Sequence, residues 1–157
     1  MAVIGLGFGD EGKGVLTDYL AGQAKAGFEA DNTVAVARFS GGHQAGHTVE
    51  YKNIRHVFSN FGSGSLRGIP TIWSKFCTVD PVGICRELKV LRSKGVDPSL
   101  YIDPNCPITT PYDKMANTSC KTTISHGSCG VGFGATIERE EKLYSLLAGD
   151  LLFQPIS

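Results

Sequence analysis

The stretch GLGFGDEGKGVLTDYL, residues 5–20, joins a glycine-rich turn to an apolar pattern with helical spacing. The apolar residues just before the turn, residues 2–7, predict a short buried strand. Beyond the turn, Val15, Leu16, Tyr19, Leu20 and Ala24 recur at helical spacing, which predicts a helix over residues 12–26. A second apolar run, residues 33–39, completes a strand, turn, helix and strand, which predicts a parallel sheet with a right-handed crossover.

The rest of the chain adds a hairpin, two helices and further strands. Residues 48–51 and 54–61 predict a hairpin across Lys52 and Asn53, and residues 71–79 and 100–102 predict two more strands. Asp80 and Pro81 are typical of a helix start, and Gly95 of its end.

Residues 105–135 are expected to be irregular or only partly helical, and residues 137–147 helical. The expected fold class is α/β: a mostly parallel sheet flanked by helices, with a P-loop-like phosphate-binding loop after the first strand. We expect one domain over residues 1–157. The apolar Leu-Leu-Phe at residues 151–153 suggests a shortened version of a larger fold.

Composition excludes few classes of protein but argues against some partners. The 157 residues carry 15 basic and 15 acidic side chains, so a broad nucleic-acid surface is not expected. The sequence has no apolar run of membrane-spanning length and no signal-peptide pattern, so we expect no membrane association and a cytoplasmic location. The five cysteines include no C-x-x-C pair, which predicts reduced thiols.

The first glycine loop is shaped for phosphate but also carries two carboxylates. Gly7, Gly12 and Lys13 follow the Walker A spacing, although Gly14 stands where that motif has Ser or Thr. Asp10 and Glu11 would repel a phosphate unless a divalent cation lay between them, or unless one of them were a general base. Alternatively, both carboxylates stabilise only the helix N-terminus.

Two further glycine loops carry histidines. GGHQAGHT, residues 41–48, places His43 and His47 four residues apart, but its three glycines disfavour the helix that a zinc pair would need. A loop histidine after a parallel strand suits a catalytic acid or a phosphate donor, the alternative being a surface histidine without a role. SHGSCGVGFGA, residues 125–135, could hold another phosphate or be an ordinary surface loop.

The motifs GFGDEGKG, residues 7–14, and GGHQAGHT together closely resemble adenylosuccinate synthetase. HVFSNFGSG at residues 56–64, residues 77–95 and the third glycine loop are more loosely similar to that family. The resemblance spans most of the chain, but only the amino-terminal third or so of a typical member. It implies a Mg²⁺-dependent ligase of purine synthesis that phosphorylates IMP with GTP and then joins L-aspartate to it, in a homodimer.

The resemblance also implies roles for individual residues. Asp10 would be the base on the purine and a Mg²⁺ ligand, and His47 the acid toward the transferring phosphate. Lys13 would contact phosphate, Gln44 the IMP base, and the Gly46 carbonyl the metal. The full set expected to bind nucleotide is Gly9, Asp10, Glu11, Gly12, Lys13, Gly14, Gln44, Ala45, Gly46, His47, Thr48 and Ser128.

The sequence departs from the family pattern at several positions. Val15 stands where lysine is usual, Phe8 where tryptophan is common, and Cys129 where arginine is expected. Arg139 or Lys142 would have to replace the arginine that reaches the neighbouring subunit's IMP phosphate. The guanine-recognition motif and the aspartate-binding loop are not found in this sequence, so a nucleotide-binding module without ligase activity, or a phosphoryl-transfer enzyme with another acceptor, stays open.

Overall fold

The computed structural model describes residues 1–7, 9, 11–27, 34–119, 130–142 and 144–151 of the chain. Across those residues, the helices are too short or too polar to cross a membrane. The elements occur in the order of an α/β protein, with a helix before the first strand.

A three-stranded parallel sheet forms the centre of the structure. Its strands are β1 (Val36–Arg38), β4 (Thr71–Trp73) and β5 (Leu100–Ile102), in the order β1-β4-β5. In this register Arg38 lies beside Trp73, and Trp73 beside Ile102. The predicted parallel sheet is therefore confirmed, although β1 and β4 are shorter than the sequence suggested.

The predicted hairpin is also confirmed. Strands β2 (His47–Tyr51) and β3 (Ile54–Phe58) pair antiparallel, with Tyr51 opposite Ile54. Lys52 and Asn53 both have positive φ, 48° and 64°, as the two central residues of a type I′ turn require. The hairpin makes His47 the first residue of a fixed strand.

Four α-helices surround the two sheets in the part of the chain that the structure describes. They are α1 (Lys13–Gly27), α2 (Pro81–Ser93), α3 (Pro111–Ser119) and α4 (Phe133–Glu140). Short 3₁₀ helices cover Ser65–Arg67 and Ala148–Leu151. Asp80 occupies the N-cap position of α2 with Pro81 in the first turn, as predicted.

The expected helix over residues 137–147 is wrong at both ends. Helix α4 begins at Phe133 and ends at Glu140, and Leu147 instead forms an antiparallel bridge with Pro107. The Glu140 carboxylate accepts a hydrogen bond from the Leu146 N–H at 3.1 Å. These contacts direct the chain back onto the core instead of along the helix axis.

The core lies between the sheet, the hairpin and α2. Trp73 is fully buried, and its indole N–H donates to the Asn60 carbonyl at 2.8 Å. Around it pack Cys77, Val79, Cys106 and Ile108, and a neighbouring cluster contains Val49, Phe58, Phe61 and Leu91. Partly buried Ile84 of α2 and Leu100 of β5 contact both clusters, so the two form one continuous apolar interior.

The expectation of a strand at the start of the chain is wrong. Residues 2–7 form no strand, and Ile4 and Leu6 are 76% and 96% exposed. A strand needs a neighbour for its N–H and C=O groups, and β1 pairs only with β4 among the described residues. The first glycine loop therefore follows a segment that is not paired in a sheet.

Several of the apolar residues of α1 lie outside its buried face. Val15, Leu16 and Tyr19 are exposed, whereas Gly14, Asp18 and Ala21 are buried. Two contacts determine which face of α1 is buried. Gly14 packs closely against the hairpin, and Asp18 pairs with Arg67. The spacing of apolar residues along the sequence cannot indicate either of these contacts.

Candidate functional site

The first turn of α1 lies directly against the first residue of β2. A Cβ placed on Gly14 would come within 2.6 Å of the Cβ of His47, closer than real side chains pack. Only glycine lets the helix N-terminus and the histidine strand approach in this way. The first and second glycine motifs, which are well separated in sequence, thus meet at one place.

Glu11 and Lys13 form an ion pair at the start of α1. The Glu11 carboxylate accepts a hydrogen bond from the Gly7 N–H and pairs with the Lys13 ammonium. The bond from Lys13 holds the pKa of Glu11 below its usual range. Gly9 and Gly12 have φ of +122° and +69°, which lets the loop fold around this pair without steric strain.

Asp10 and Ser128, two of the predicted site residues, lie outside the described residues, as do Phe8 and Cys129. The contact between the two motifs is therefore made, in the described structure, by Gly14 and His47. Asp10 stands between Gly9 and Glu11 in sequence, just before the start of α1.

The loop that carries His47 is fixed to the core at its beginning. The Arg38 guanidinium donates to the Gly42 carbonyl at 2.9 Å and also to the Ser59 carbonyl, with its carbon 4.7 Å from the centre of the Trp73 ring. The Gly41 carbonyl accepts from the Thr78 N–H at 2.9 Å. These bonds determine the direction in which the following residues leave the sheet.

Small residues shape the rest of this loop. Gly42 is buried so tightly that an added Cβ would lie 2.4 Å from the Thr78 hydroxyl and 2.8 Å from the Gln44 amide oxygen. Gln44 and Gly46 are exposed, Ala45 is half-buried, and Thr48 is an exposed residue of β2. The loop therefore presents side-chain and backbone polar groups to solvent beside His47.

The surroundings of His47 favour its neutral form. Burial lowers its pKa, and the nearby positive charges of Arg38 and Lys13 lower it further. The same positive charges would attract a phosphate, and a phosphate would in turn favour the protonated imidazole. An anion bound beside His47 would therefore raise the pKa of its imidazole.

The two histidines of the loop have different partners. His43 Nε2 lies 3.4 Å from Asp80 Oδ2, and the same carboxylate oxygen accepts from Lys114 Nζ at 2.6 Å. Burial lowers the pKa of His43 as well. A shared zinc is not supported, because within the described ranges no three His, Cys, Asp or Glu side chains are grouped to hold a metal.

Beyond His43 lies a polar pocket that sequence reasoning missed. His56 Nε2 contacts Glu87 Oε1 at 3.2 Å, and Glu87 also accepts from the Asn60 side chain at 2.8 Å. Lys114 and Asp80 also line this pocket. His56 and Asn60 lie in one family-like stretch and Glu87 in another, but no spacing in the sequence indicates that these stretches meet with Lys114 in a pocket.

The two candidate phosphate-binding cations near the end of the chain are paired internally. Arg139 Nε donates to Asp113 Oδ1 at 3.1 Å and Nη1 to Glu140 Oε1 at 2.7 Å. Lys142 Nζ pairs with Glu138 at 2.7 Å, one helical turn away. In the described structure both side chains therefore make their contacts around α4.

Comparison with known proteins agrees with this arrangement of motifs. A sequence model of the adenylosuccinate synthetase family matches residues 2–155. The chain belongs to the adenylosuccinate synthetase family. It is 35% identical over 140 residues to adenylosuccinate synthetase 1 of Photorhabdus laumondii, covering 87% of this chain and 31% of that protein.

Other relatives give the same result. The Pseudomonas fluorescens adenylosuccinate synthetase is 32% identical over 161 residues, covering 99% of this chain and 35% of the relative. The chain thus spans about a third of the length of the curated relatives that it matches.

Solved structures share the fold. A fully ligated adenylosuccinate synthetase from Plasmodium falciparum superposes with a TM-score of 0.74 at 18% identity, covering 94% of this chain and 34% of that one. A cyanophage S-2L succinoaminodeoxyadenylate synthetase, bound to dGMP and to dATP as an energy donor, gives 0.64 at 19% identity, with 92% and 39% covered. At these identities the likeness concerns the fold of the matched third.

Proposed function

We propose that residues 1–157 form one domain that supplies the phosphoryl-transfer loops of an adenylosuccinate synthetase. The proposed reaction is the GTP- and Mg²⁺-dependent ligation of IMP with L-aspartate, through a 6-phosphoryl intermediate. The observation that carries the proposal is the contact of Gly14 with His47, because it unites the family's two most specific motifs at one helix N-terminus.

The proposed roles follow from charge and reach. Phosphoryl transfer depends mainly on positioning and on neutralising charge, which suits Lys13 and the N-terminus of α1. His47 would give a proton to the transferring phosphate, and Asp10 would take one from the purine. Gln44 would contact the purine, while Gly9, Glu11, Gly12, Ala45, Thr48 and Ser128 would line the nucleotide.

The residues present fit a magnesium ion. Mg²⁺ binds oxygen ligands and keeps several waters, so one or two protein oxygens together with substrate phosphates are enough. The Asp10 carboxylate and the carbonyl of exposed Gly46 are oxygen donors on the two motifs that meet at Gly14. When bound, the ion would neutralise charge on the phosphates.

The remaining partners of this proposal come from the family. We place the protein in the cytoplasm as a homodimer. The relative from cyanophage S-2L binds dGMP and dATP. The test therefore varies both the purine substrate and the nucleotide that supplies the energy.

The test is a coupled assay of the chain with L-aspartate and Mg²⁺, using IMP with GTP or dGMP with dATP. Asp10→Asn and His47→Asn should each reduce turnover by about 10²–10⁴-fold, the usual contribution of a general acid or base. His43→Asn is the matched control in the same loop and should keep most of the turnover. Nucleotide binding without turnover in the unaltered chain would favour the binding-module alternative, and equal activity of His47→Asn and His43→Asn would refute the assigned roles.

A further inference from the structure

The Glu87 carboxylate of α2 is buried, and its hydrogen bonds hold the segment that follows β3. Glu87 is 7% exposed. Its Oε2 accepts from the Asn60 N–H at 2.7 Å and from the Asn60 side-chain amide at 2.8 Å, and its Oε1 accepts from the Ser59 N–H at 3.1 Å. A buried charge is costly unless it is hydrogen-bonded in this way. Glu87 therefore fixes residues 59–60 against α2.

The peptide group between Ser59 and Asn60 is hydrogen-bonded at both ends. Its N–H belongs to Asn60 and donates to Glu87, while its carbonyl belongs to Ser59 and accepts from Nη1 of Arg38. A carboxylate and a guanidinium thus lie on opposite sides of one peptide group, and each polarises that group in the sense that strengthens the other hydrogen bond. Because Arg38 is the last residue of β1, one connected series of hydrogen bonds runs from α2 to the central sheet.

Arg38 extends this series to the second glycine loop. Its Nη2 donates to the Gly42 carbonyl at 2.9 Å, so one planar guanidinium joins the carbonyls of Ser59 and Gly42. Both of these acceptors are neutral groups. Burial lowers the pKa of Arg38, and the Cys77 and Glu87 side chains oppose this effect and favour the charged guanidinium. The Gly42 carbonyl is therefore held by a cation that Glu87 stabilises.

We propose that Glu87 is a positioning residue for the second glycine loop, which it holds through the Ser59–Asn60 peptide group and Arg38. Gly42 lies near the start of that loop, and His47 begins β2 at its end, so the series determines how the loop leaves the sheet. The effect of Glu87 on turnover rests on the proposed function, because it requires that His47 takes part in catalysis. The position of the loop does not depend on that function, and it is measured without turnover.

The test measures backbone NMR order parameters of residues 42–45 in the unaltered chain and in Glu87→Gln, which keeps the size of the side chain and removes its charge. The order parameters should fall from about 0.85, typical of rigid backbone, to below about 0.6. Asp113→Asn is the matched control. Asp113 is 5% exposed and accepts from the Thr110 N–H at 2.7 Å and from Arg139 of α4 at 3.1 Å, so it is a buried carboxylate whose hydrogen bonds do not lead to Arg38. Its replacement should lower thermal stability but leave residues 42–45 rigid, which separates positioning of the loop from general stability.

Arg38→Lys tests the series from its other end, since lysine keeps the charge but lacks the fixed fork that joins two carbonyls. It should loosen residues 42–45 as Glu87→Gln does, and the double variant should loosen them no further, because the two residues act in series. In the unaltered chain the terminal nitrogens of Arg38 should rotate slowly on the NMR timescale, a signal that is read even if a variant fails to fold.

The proposal is overturned if Arg38 rotates freely, if folded Glu87→Gln leaves residues 42–45 rigid, if Asp113→Asn loosens them equally, or if the effects of Glu87→Gln and Arg38→Lys add. In the coupled assay, Glu87→Gln should lower kcat by up to about 10²-fold and change KM less, as expected when a distant substitution misplaces a catalytic group. If the unaltered chain shows no turnover, the proposed function fails, whereas the order parameters still decide whether Glu87 positions the loop.

Discussion

Helix α1 and the central sheet are held in place by different forces. The sheet and α2 bury Trp73 and Leu91 completely, and their stability comes from apolar contact. Helix α1 buries a glycine, an aspartate and an alanine, and leaves Val15 and Tyr19 exposed. The core therefore stabilises the fold, whereas the helix that follows the first glycine loop is held mainly by close approach to His47 and by the ion pair of Asp18 with Arg67.

Removal of the central side chain should have the largest effect. Trp73→Ala removes a fully buried indole and its hydrogen bond to Asn60, and should lower the free energy of unfolding by about 3–5 kcal/mol. Urea unfolding followed by circular dichroism measures the loss, since Trp73 is the single tryptophan and its fluorescence would be lost. Tyr101→Ala, in the exposed row of the same sheet, should cost less than about 1 kcal/mol. Equal losses would contradict the assignment of the two faces.

The ion pair of α1 should come next. Arg67 donates to Asp18 through Nε at 2.9 Å and through Nη2 at 2.7 Å, and the Asp18 carboxylate is buried. Asp18→Asn should lower stability by about 1.5–3 kcal/mol, the range for hydrogen bonds to charged groups. It should also increase amide exchange in α1 more than in α2.

The matched control for Asp18 is an exposed pair of similar length. Arg92 Nε lies 2.8 Å from Asp97 Oδ1, with both side chains largely exposed. Asp97→Asn should change stability by at most about 1 kcal/mol because solvent screens the pair. A comparable loss in both variants would mean that burial of Asp18 does not matter.

Gly14→Ala tests the contact at the candidate site without changing the apolar core. Alanine favours a helix over glycine by about 1 kcal/mol, but here its Cβ would meet His47, and overpacking costs about 1–3 kcal/mol. We expect a net loss of about 1 kcal/mol or more, measured by thermal unfolding. Gly134→Ala, also at the second position of a helix but with its nearest neighbour at 3.9 Å, should be stabilising instead. If both substitutions stabilised the protein, the close contact of Gly14 with His47, on which the site depends, would be contradicted.

Acid should weaken the fold through the histidines of the second glycine loop and the hairpin. Burial lowers the pKa of His43, His47 and His56 in the folded chain. The unfolded chain then binds more protons below its own histidine pKa of about 6.5, so this contribution should be nearly constant from about pH 8 to 7 and fall as pH drops below about 6.5. Denaturant unfolding at about pH 7.5 and about pH 5.5 measures the difference. His56→Gln should make this dependence shallower, and a stability that rises on acidification would contradict the burial of these rings.

The sequence predicted the parts of the fold that local rules control. The hairpin turn at Lys52 and Asn53, the start of α2 at Asp80 and Pro81, and the strand at residues 100–102 all depend on short-range patterns. The prediction of a strand at residues 2–7 was wrong because a strand also needs a partner strand. No spacing within those residues indicates whether such a partner is present. The spacing of apolar residues does not indicate the buried face of α1, because Gly14 and Asp18 are buried through contacts with the distant His47 and Arg67.

The residues of the candidate site also fall into two groups: those that local sequence motifs predict and those that only tertiary packing brings together. Glycine positions and the motif pair pointed to Lys13, Gly14 and His47 from the amino-acid sequence alone, since these residues lie within recognisable motifs. The polar pocket of His56, Asn60 and Glu87 brings together residues up to 31 positions apart. Such a pocket depends on how α2 packs on the hairpin, which is a tertiary property.

The most direct test of a shared site is an NMR titration of the His47 imidazole with and without inorganic triphosphate and Mg²⁺. We place His47 in one anion site with the first turn of α1, where burial and the charges of Arg38 and Lys13 hold its pKa down in the free chain. Binding should raise the pKa of His47 and leave that of His56 unchanged, and Gly14→Ala should weaken the effect. Saturable triphosphate binding that leaves the pKa of His47 where it was would show that the two motifs do not form a common site.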